Sequence, residues 1–306
     1  METDEELGRI LLRAFPDCSF GARELLQGGI SARAVVVDLT LPNATRTRVV
    51  VRRPTRSTPE EVRRVVHSEF EILSRCAALG IPTPKPCFLD LEAGAVILQY
   101  VEGAPEFAPA SSRDMLDQMA AQLARIHAVT LSTESAFLQR RSASAGRHLS
   151  TEPEQLDTTL DEAKIRSALL GLWPWEQHNA DALLHGDYWP GNLLWKEGKL
   201  AAVLDWEESD IGDPLADLAI SRLDILWAFG EAAMHTFTES YRQRSALDFR
   251  NLARWDLYVA LRPMSNLARW AESYAAPPIS RPDITELGMR EGHRRFVEQA
   301  LASIVR

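Results

Sequence analysis

The sequence predicts an α+β fold in which a small β-rich amino-terminal part precedes a larger helical part. Two observations lead to this prediction. Short runs of β-branched residues bounded by turn residues fill the first hundred positions, whereas apolar residues recur at helical spacing from about Ser111 onward. Strands followed by helices are typical of an α+β chain. We therefore expect one part over residues 1–101 and a second part over 102–306.

The amino-terminal part is predicted to contain five strands and one helix. Thr58 is followed by Pro59 and two glutamates, which is the signature of a capped helix start, and Gly80 follows the last turn at Leu79. The predicted strands lie within Glu24 to Leu39 (two strands around a glycine turn), Arg48 to Arg53, and Pro86 to Gly103 (a hairpin).

The second part is predicted to be helical, with one short strand. Arg113 to Val129 shows the spacing of an amphipathic helix, Ser132 to Glu154 reads as a loose polar stretch, and a helix is expected near Asp161 to Trp173. The short strand falls within Gly198 to Trp206. Later helices are predicted to break at Gly230, Pro263, residues 276–282 and Gly288.

The composition excludes several classes of protein. A net charge of −9 argues against nucleic-acid binding, which relies on positive surface. No apolar run has the length of a membrane span, and the acidic start lacks the basic region of a signal peptide. Cys18, Cys76 and Cys87 have no paired spacing, so we expect free thiols in a reducing compartment. We expect a cytoplasmic monomer or homodimer with no membrane or nucleic-acid partner.

Polar residues interrupt an otherwise apolar stretch from Leu183 to Trp195. Asp187 and Asn192 are five residues apart on a loop that contains proline and glycine, and Asp205 follows at the end of the predicted strand. Carboxylate and amide oxygens are the ligands that Mg²⁺ prefers, and Mg²⁺ usually also contacts substrate phosphates. If Asn192 and Asp205 hold the metal, Asp187 remains to accept a proton from an attacking hydroxyl group.

This segment resembles the catalytic and metal-binding loops of the aminoglycoside phosphotransferase and choline kinase family, which are relatives of the protein kinases. His185 to Asn192 follows the kinase pattern of His, any residue, Asp, four residues and Asn. Asp205 to Glu207 stands where kinases have Asp-Phe-Gly, and Ile211 to Ala219 is also typical of the family. The resemblance implies a protein-kinase-like two-lobe fold, Asp187 as the catalytic base, Mg²⁺ on Asn192 and Asp205, and ATP or GTP as phosphoryl donor.

The resemblance also assigns roles in the amino-terminal part. Arg52 matches a phosphate-contacting position that holds Lys in protein kinases, which leaves Arg53 as an alternative, and Glu69 matches the helical Glu that pairs with it. Strand alternation places Arg52 and Arg53 on opposite faces. Residues implied in nucleotide binding are Gly29, Ser31, Arg52, Glu69, Gln99, Tyr100 and Val101. His127, His185 and Asp217 are expected to brace the catalytic loop.

The acceptor is predicted to be a small molecule that carries a hydroxyl group. Trp206, Glu207, Asp224 and Trp227 lie where the resemblance places the acceptor cleft, and their acidic and aromatic character favours a cationic compound. An aminoglycoside-type or other antibiotic natural product is the best match. Three alternatives remain open: a kinase for a metabolite such as choline or an amino sugar, a non-catalytic nucleotide-binding module, and, with less support because no Ala-Pro-Glu motif follows Asp205, a protein kinase.

Overall fold

The structure, a computed structural model, describes residues 4–26, 32–55, 58–109, 111–129 and 138–304. The chain divides into two compact units. One unit comprises Met1–Gly103 and Ala201–Glu207, and the other comprises Ala104–Leu200 and Glu208–Arg306. The segment Ala201–Glu207 thus belongs with the amino-terminal unit, although it lies far along the sequence.

The amino-terminal unit contains a five-stranded antiparallel sheet with the strand order β1-β2-β3-β5-β4. Four of the five strands lie where the sequence predicted them, although the second strand of the last hairpin ends at Gln99 rather than Gly103. The first strand, Ser19–Leu25, lies mostly before the predicted start at Glu24. The elements are α1 (Asp4–Ala14), β1 (Ser19–Leu25), β2 (Ala32–Thr40), β3 (Arg46–Pro54), α2 (Pro59–Ala78), β4 (Pro86–Asp90) and β5 (Ala95–Gln99).

Helix α1, which the sequence analysis missed, covers one face of this sheet. Its residues Leu7, Ile10 and Leu11 are buried in one cluster with Val49 and Val51 of β3. Leu7, Ile10 and Leu11 recur at helical spacing, so the sequence did contain a signal for α1. Burial of this apolar surface contributes roughly 25 cal/mol per Å² removed from water.

Helix α2 begins as predicted, because Thr58 caps it. The Thr58 hydroxyl accepts from the Glu61 main chain at 3.2 Å, and the Glu61 carboxylate accepts in return from the Thr58 main-chain N–H at 3.2 Å. Buried residues of α2 include Val65, Val66 and Glu69. Because side chains alternate along β3, Arg52 points to the α2 side, where it meets Glu69.

The second unit is mainly helical. Its central helix, α6, is buried along nearly its whole length and contacts α7, α8 and α10. Strands β6 and β9 pair antiparallel. The elements are α3 (Ser112–His127), α4 (Arg141–Ser150), α5 (Glu162–Leu172), β6 (Ala182–Leu184), β7 (Leu193–Lys196), β8 (Lys199–Val203, which leads into the other unit), β9 (Asp210–Gly212), α6 (Leu215–Phe229), α7 (Glu231–Arg242), α8 (Leu252–Val259), α9 (Leu267–Ala275) and α10 (Glu286–Ile304).

Three expectations for residues 102–306 are wrong. The described residues there form four short strands, β6 to β9, rather than one. The stretch predicted as loose contains α4, which buries only Ala145 and Leu149 and has no side-chain cap, so its apolar pattern is weak. Gly288 does not break a helix but lies in the first turn of α10, where its main-chain N–H donates to the Thr285 hydroxyl at 3.2 Å. Among the described residues, no helix is long and apolar enough to cross a membrane.

Candidate active site

The loop that follows β6 carries His185, Gly186 and Asp187, and the buried carboxylate of Asp217 holds its main chain. The His185 N–H donates to Asp217 Oδ2 at 2.6 Å, and the Gly186 N–H donates to Asp217 Oδ1 at 2.9 Å. Asp217 lies in the first turn of α6. The bracing role predicted for Asp217 is therefore confirmed.

Two histidines complete this brace. His127 Nε2 lies 3.3 Å from Asp217 Oδ2, and its Nδ1 lies 2.6 Å from the Tyr241 hydroxyl oxygen. Burial opposes ionisation of Asp217, but the hydrogen bond and charge of His127, together with His185, hold the pKa of Asp217 below its ordinary value. His185 Nδ1 accepts from the Asp187 main-chain N–H at 3.2 Å. Both histidines thus stabilise the loop, as the sequence predicted.

Gly186 is required at its position for a steric reason. Its φ of 85° lies in the left-handed region, and a Cβ built there would lie 2.1 Å from the main-chain oxygen of Glu208. A side chain at residue 186 would therefore displace the loop that carries Asp187.

A short turn at Pro190–Asn192 brings the Asn192 side chain into contact with Asp187. Asn192 Nδ2 donates to the Asp187 main-chain oxygen at 2.9 Å and to Asp187 Oδ2 at 3.0 Å. The intervening residue Tyr188 is fixed at both ends, since its hydroxyl donates to Met119 and its carbonyl accepts from Ser221 at 2.7 Å. The spacing of five residues in the sequence thus produces a direct contact between Asp187 and Asn192.

Arg262 is the functional candidate that the sequence reasoning missed. It follows α8, where its Nη2 donates to Asp187 Oδ1 and its Nη1 lies 3.2 Å from Asp224 Oδ2. Burial raises the pKa of Asp224 to about 7, against the opposing charge of Arg262. Arg262 stands in no recognisable motif and is 75 residues from Asp187 in the sequence. No signal in a single sequence could have found this contact.

In the amino-terminal unit, Arg52 is surrounded by three carboxylates. Its guanidinium lies 2.5 Å from Glu69, 2.6 Å from Asp205 and 2.9 Å from Glu207. Arg53, on the opposite side of β3, instead pairs with Glu6 of α1 at 2.8 Å. Of the two arginines that the sequence left open, Arg52 is therefore the one that meets the helical glutamate.

The carboxylates of this cluster stabilise the charged form of Arg52. Burial works against the charged form of Arg52, but Glu69, Asp205 and Glu207 raise the pKa of Arg52 above its ordinary value. Burial raises the pKa of Glu69, although Arg52 opposes that shift. Arg52 thus joins carboxylates from α2 and from the segment Ala201–Glu207 within one unit. Asp205 itself has a φ of 61°, a conformation uncommon for a side-chain-bearing residue and frequent at functional sites.

Asn192 and Asp205 fit the chemistry of a magnesium site by their donor types. Each offers a hard oxygen ligand, and Mg²⁺ is usually held by one or two protein carboxylates together with substrate phosphates. Within the described part of the chain, no three His, Cys, Asp or Glu residues converge to hold a metal ion by themselves.

The remaining nucleotide-binding predictions divide into two groups. Gly29 and Ser31 lie outside the described residues. Gln99, Tyr100 and Val101 lie at the end of β5 and just after it. The main-chain N–H of Gln99 donates to Lys85 at 2.8 Å, and that of Tyr100 donates to Arg48 at 3.1 Å. These two N–H groups are therefore already used within the amino-terminal unit.

The four residues predicted to contact the acceptor are all engaged with other groups of the protein. Trp206 is 1% exposed and its indole N–H donates to Val203 at 3.0 Å. The indole N–H of Trp227 donates to Met289 at 3.0 Å. Glu207 and Asp224 pair with Arg52 and Arg262 as described above. The acidic groups expected to attract a cationic acceptor are thus each paired with an arginine of the chain itself.

Comparison with known proteins identifies the family. Residues 23–258 match the model of the aminoglycoside phosphotransferase group, described as the phosphotransferase enzyme family. The chain belongs to this family. It resembles in fold the macrolide 2′-phosphotransferase of Brachybacterium faecium, with a TM-score of 0.62, 20% identity and 98% of each chain covered. The protein-kinase-like α+β fold predicted from the motifs is confirmed.

Two curated relatives match part of this chain, and each match covers only part of the relative. Acyl-CoA dehydrogenase family member 11 of Rattus norvegicus is 26% identical over 232 residues, which cover 64% of this chain and 29% of the rat protein. Viomycin phosphotransferase of Streptomyces vinaceus is 29% identical over 154 residues, which cover 48% of this chain and 53% of that protein. The chain thus spans less than a third of the first relative and about half of the second.

Proposed function

We propose that this protein transfers the terminal phosphoryl group of ATP, or of GTP, to a hydroxyl group of a small molecule, with Asp187 as the catalytic base. The observation that carries this proposal is the fixed Asp187 carboxylate, which Asn192 and Arg262 hold from two sides. The Asp187 side chain is 26% exposed, so an acceptor can reach it. A base must lie within hydrogen-bond reach of the proton that it accepts.

In the proposed reaction, the acceptor oxygen forms a bond to the terminal phosphorus while the bond to the nucleoside diphosphate breaks. The acceptor proton passes to Asp187, and the diphosphate leaves with the bridging oxygen. Asn192 and Asp205 would hold Mg²⁺, which supplies neutralisation of the phosphate charge. Arg52, held by Glu69, would steady the phosphates. Positioning and electrostatic stabilisation supply most of the rate in reactions of this type.

The acceptor class is proposed from the family and from viomycin phosphotransferase, whose name states an antibiotic acceptor. We propose an antibiotic natural product that bears a hydroxyl group, and a hydroxylated metabolite as the second candidate. The pairing of Glu207 and Asp224 with arginines weakens the expectation that the acceptor must be cationic. A cationic acceptor would have to displace Arg262 or bind beside it.

A phosphorylation screen tests the proposal. Purified protein is incubated with Mg²⁺ and ATP or GTP, and with viomycin, spectinomycin, a macrolide, an amino sugar or choline. Mass spectrometry should detect an acceptor whose mass has increased by one phosphoryl group, together with the nucleoside diphosphate. Tight binding of Mg·ATP without phosphorylation of any hydroxyl compound in an extended panel would instead support a non-catalytic nucleotide-binding module. A product formed equally fast by Asp187→Asn would refute the assignment of the base.

A further inference from the structure

The two oxygens of the Asp187 carboxylate are held by different residues. Asn192 donates to Oδ2 at 3.0 Å, and Arg262 donates to Oδ1. A carboxylate bonded through only one oxygen can rotate about its terminal torsion, which is broad and roughly two-fold. Bonds to both oxygens fix the plane of the group, and hence the direction in which Asp187 can accept a proton. Arg262 therefore completes an orientation that Asn192 cannot define alone.

Arg262 is in turn fixed by two further residues. Its Nη1 lies 3.2 Å from the buried carboxylate of Asp224, and its guanidinium carbon lies 5.8 Å from the centre of the Trp270 ring on α9. Trp270 packs edge-on against Trp227 of α6. The charge of Arg262 is thus anchored to the central helix of the unit, and the guanidinium bridges that helix to the catalytic loop.

We propose that Arg262 is a positioning residue of the phosphotransfer reaction: with Asp224 as its anchor, it orients the Asp187 carboxylate toward the acceptor hydroxyl. This inference rests on the proposed function, since it assigns Arg262 a role only through Asp187. The planar fork of a guanidinium can donate to Asp187 and Asp224 at the same time and in one plane, whereas a lysine ammonium is a point charge without that geometry.

If Arg262 positions Asp187, substitutions of Arg262 should lower kcat but leave the affinity for Mg·ATP nearly unchanged. Arg262→Met should lower kcat about 10²-fold, which is the loss that a misplacement of about 1 Å can cause. Affinity for Mg·ATP, measured by calorimetry, should change by less than about twofold, because the residues that Arg262 pairs with, Asp187 and Asp224, are not the proposed metal ligands. Arg262→Lys should recover less than a tenth of the wild-type kcat, since it restores the charge but not the fork.

Three control variants separate positioning from folding. Arg262→Met leaves the Asp224 carboxyl group buried without its partner, so the double variant Arg262→Met/Asp224→Asn removes that unpaired carboxyl group and should show the same loss of kcat. Arg222→Met breaks the buried pair between Arg222 of α6 and Asp256 of α8, and it should lower Tm without lowering kcat per folded molecule. Arg250→Met removes an exposed arginine that pairs with Asp248 and should change neither.

A crystal structure of Arg262→Met tests the inference even without a known acceptor. Asp187 should adopt more than one side-chain conformer, or a single rotated one, while Asn192 keeps its contact with the Asp187 main-chain oxygen. The inference is overturned if Asp187 keeps its orientation in that structure, or if kcat falls only as far as Tm predicts from Arg222→Met. Failure of the proposed function has a different signature, because Asp187→Asn would then retain activity whatever Arg262 does.

Discussion

Two arginines, Arg52 and Arg262, each pair with acidic residues of the candidate site. The sequence motifs point to Arg52 but not to Arg262. Arg52 lies on a strand of the amino-terminal unit and meets Glu69, Asp205 and Glu207. Arg262 lies after α8 in the helical unit and meets Asp187 and Asp224. The Arg52 cluster contains a proposed metal ligand, and the Arg262 cluster contains the proposed base. We infer that the first cluster serves the nucleotide and the second serves the acceptor.

The largest effect should come from the proposed base in the Arg262 cluster. Asp187→Asn keeps the shape of the side chain but removes its capacity to accept a proton, so kcat should fall by roughly 10²–10⁴-fold. Because Asp187 acts on the acceptor, Mg·ATP affinity should stay within about twofold of the parent. Steady-state kinetics together with calorimetry measure both quantities. If Asp187→Asn loses nucleotide affinity instead, the Arg262 cluster also serves the nucleotide, and the division of roles between the two clusters is wrong.

The pH dependence of stability should reveal the buried partner of Arg262. Burial raises the pKa of Asp224 to about 7, above its value in the unfolded chain. Between about pH 4 and pH 7 the folded protein therefore binds this proton more often than the unfolded chain does. The contribution of Asp224 to stability is consequently greatest at low pH and is lost as the pH rises through 7.

The measurement is urea unfolding of the parent and of Asp224→Asn at several pH values. The free energy of unfolding of the parent, relative to the variant, should fall by up to about 4 kcal/mol between pH 4 and pH 8, given about 1.4 kcal/mol for each unit of pKa shift. Asp210, whose pKa burial also raises to about 7, is present in both proteins and cancels in the difference. A constant difference across this range would mean that Asp224 stays ionised in the folded protein.

In the Arg52 cluster, Asp205→Asn should weaken metal-dependent nucleotide binding. The substitution removes one carboxylate from a proposed Mg²⁺ site, and we expect the Kd for Mg·ATP to rise by about 10-fold or more, since even partners of metal ligands cost 10–100-fold. Calorimetry with and without Mg²⁺ separates the metal-dependent part. Equal affinities of parent and variant in the presence of Mg²⁺ would show that Asp205 is not a ligand.

The contrast between the two arginines also shows which features the sequence could predict: those with a local pattern, but not those that depend on tertiary packing. The strands, the capped start of α2 and the catalytic loop follow from local patterns, and Asp187, Asn192, Asp205, Arg52 and Glu69 stand at motif positions. Arg262 reaches Asp187 only because α6 and α8 pack side by side, and no local pattern records that packing. The partners that the acidic and aromatic residues proposed for the acceptor have within the chain could not be predicted either, for a related reason.

The sequence shows that residues 207 and 224 are acidic, but it does not show which basic residues pair with them in the folded protein. The partners of these two residues, Arg52 and Arg262, lie 155 and 38 residues away in the sequence. Helix α1 has a helical apolar pattern and could have been predicted, whereas α4 was missed because it buries few apolar residues. A local motif thus identifies residues that act through their own chemistry, whereas charge balance is a property of the packed structure.

The smallest effect is expected for Arg52→Lys, and it provides the sharpest comparison with Arg262→Lys. Lysine is the residue that protein kinases place at the position of Arg52, and its ammonium can still pair with Glu69 and reach a phosphate. We therefore expect the Kd for Mg·ATP and kcat to change by less than about threefold, which corresponds to well under 1 kcal/mol. Arg52→Met serves as the control that removes the charge and should weaken Mg·ATP binding.

The same lysine substitution should abolish most of the activity at residue 262, because there the fork must hold two carboxylates at once. Parallel assays of the two lysine variants, with kcat and Mg·ATP affinity measured for each, decide whether the guanidinium fork is needed at residue 262 but not at residue 52. Arg52 meets three carboxylates in the structure, so it too could depend on its fork. If Arg52→Lys loses as much kcat as Arg262→Lys, charge alone does not suffice at either position, and the division into a nucleotide arginine and an acceptor arginine has to be abandoned.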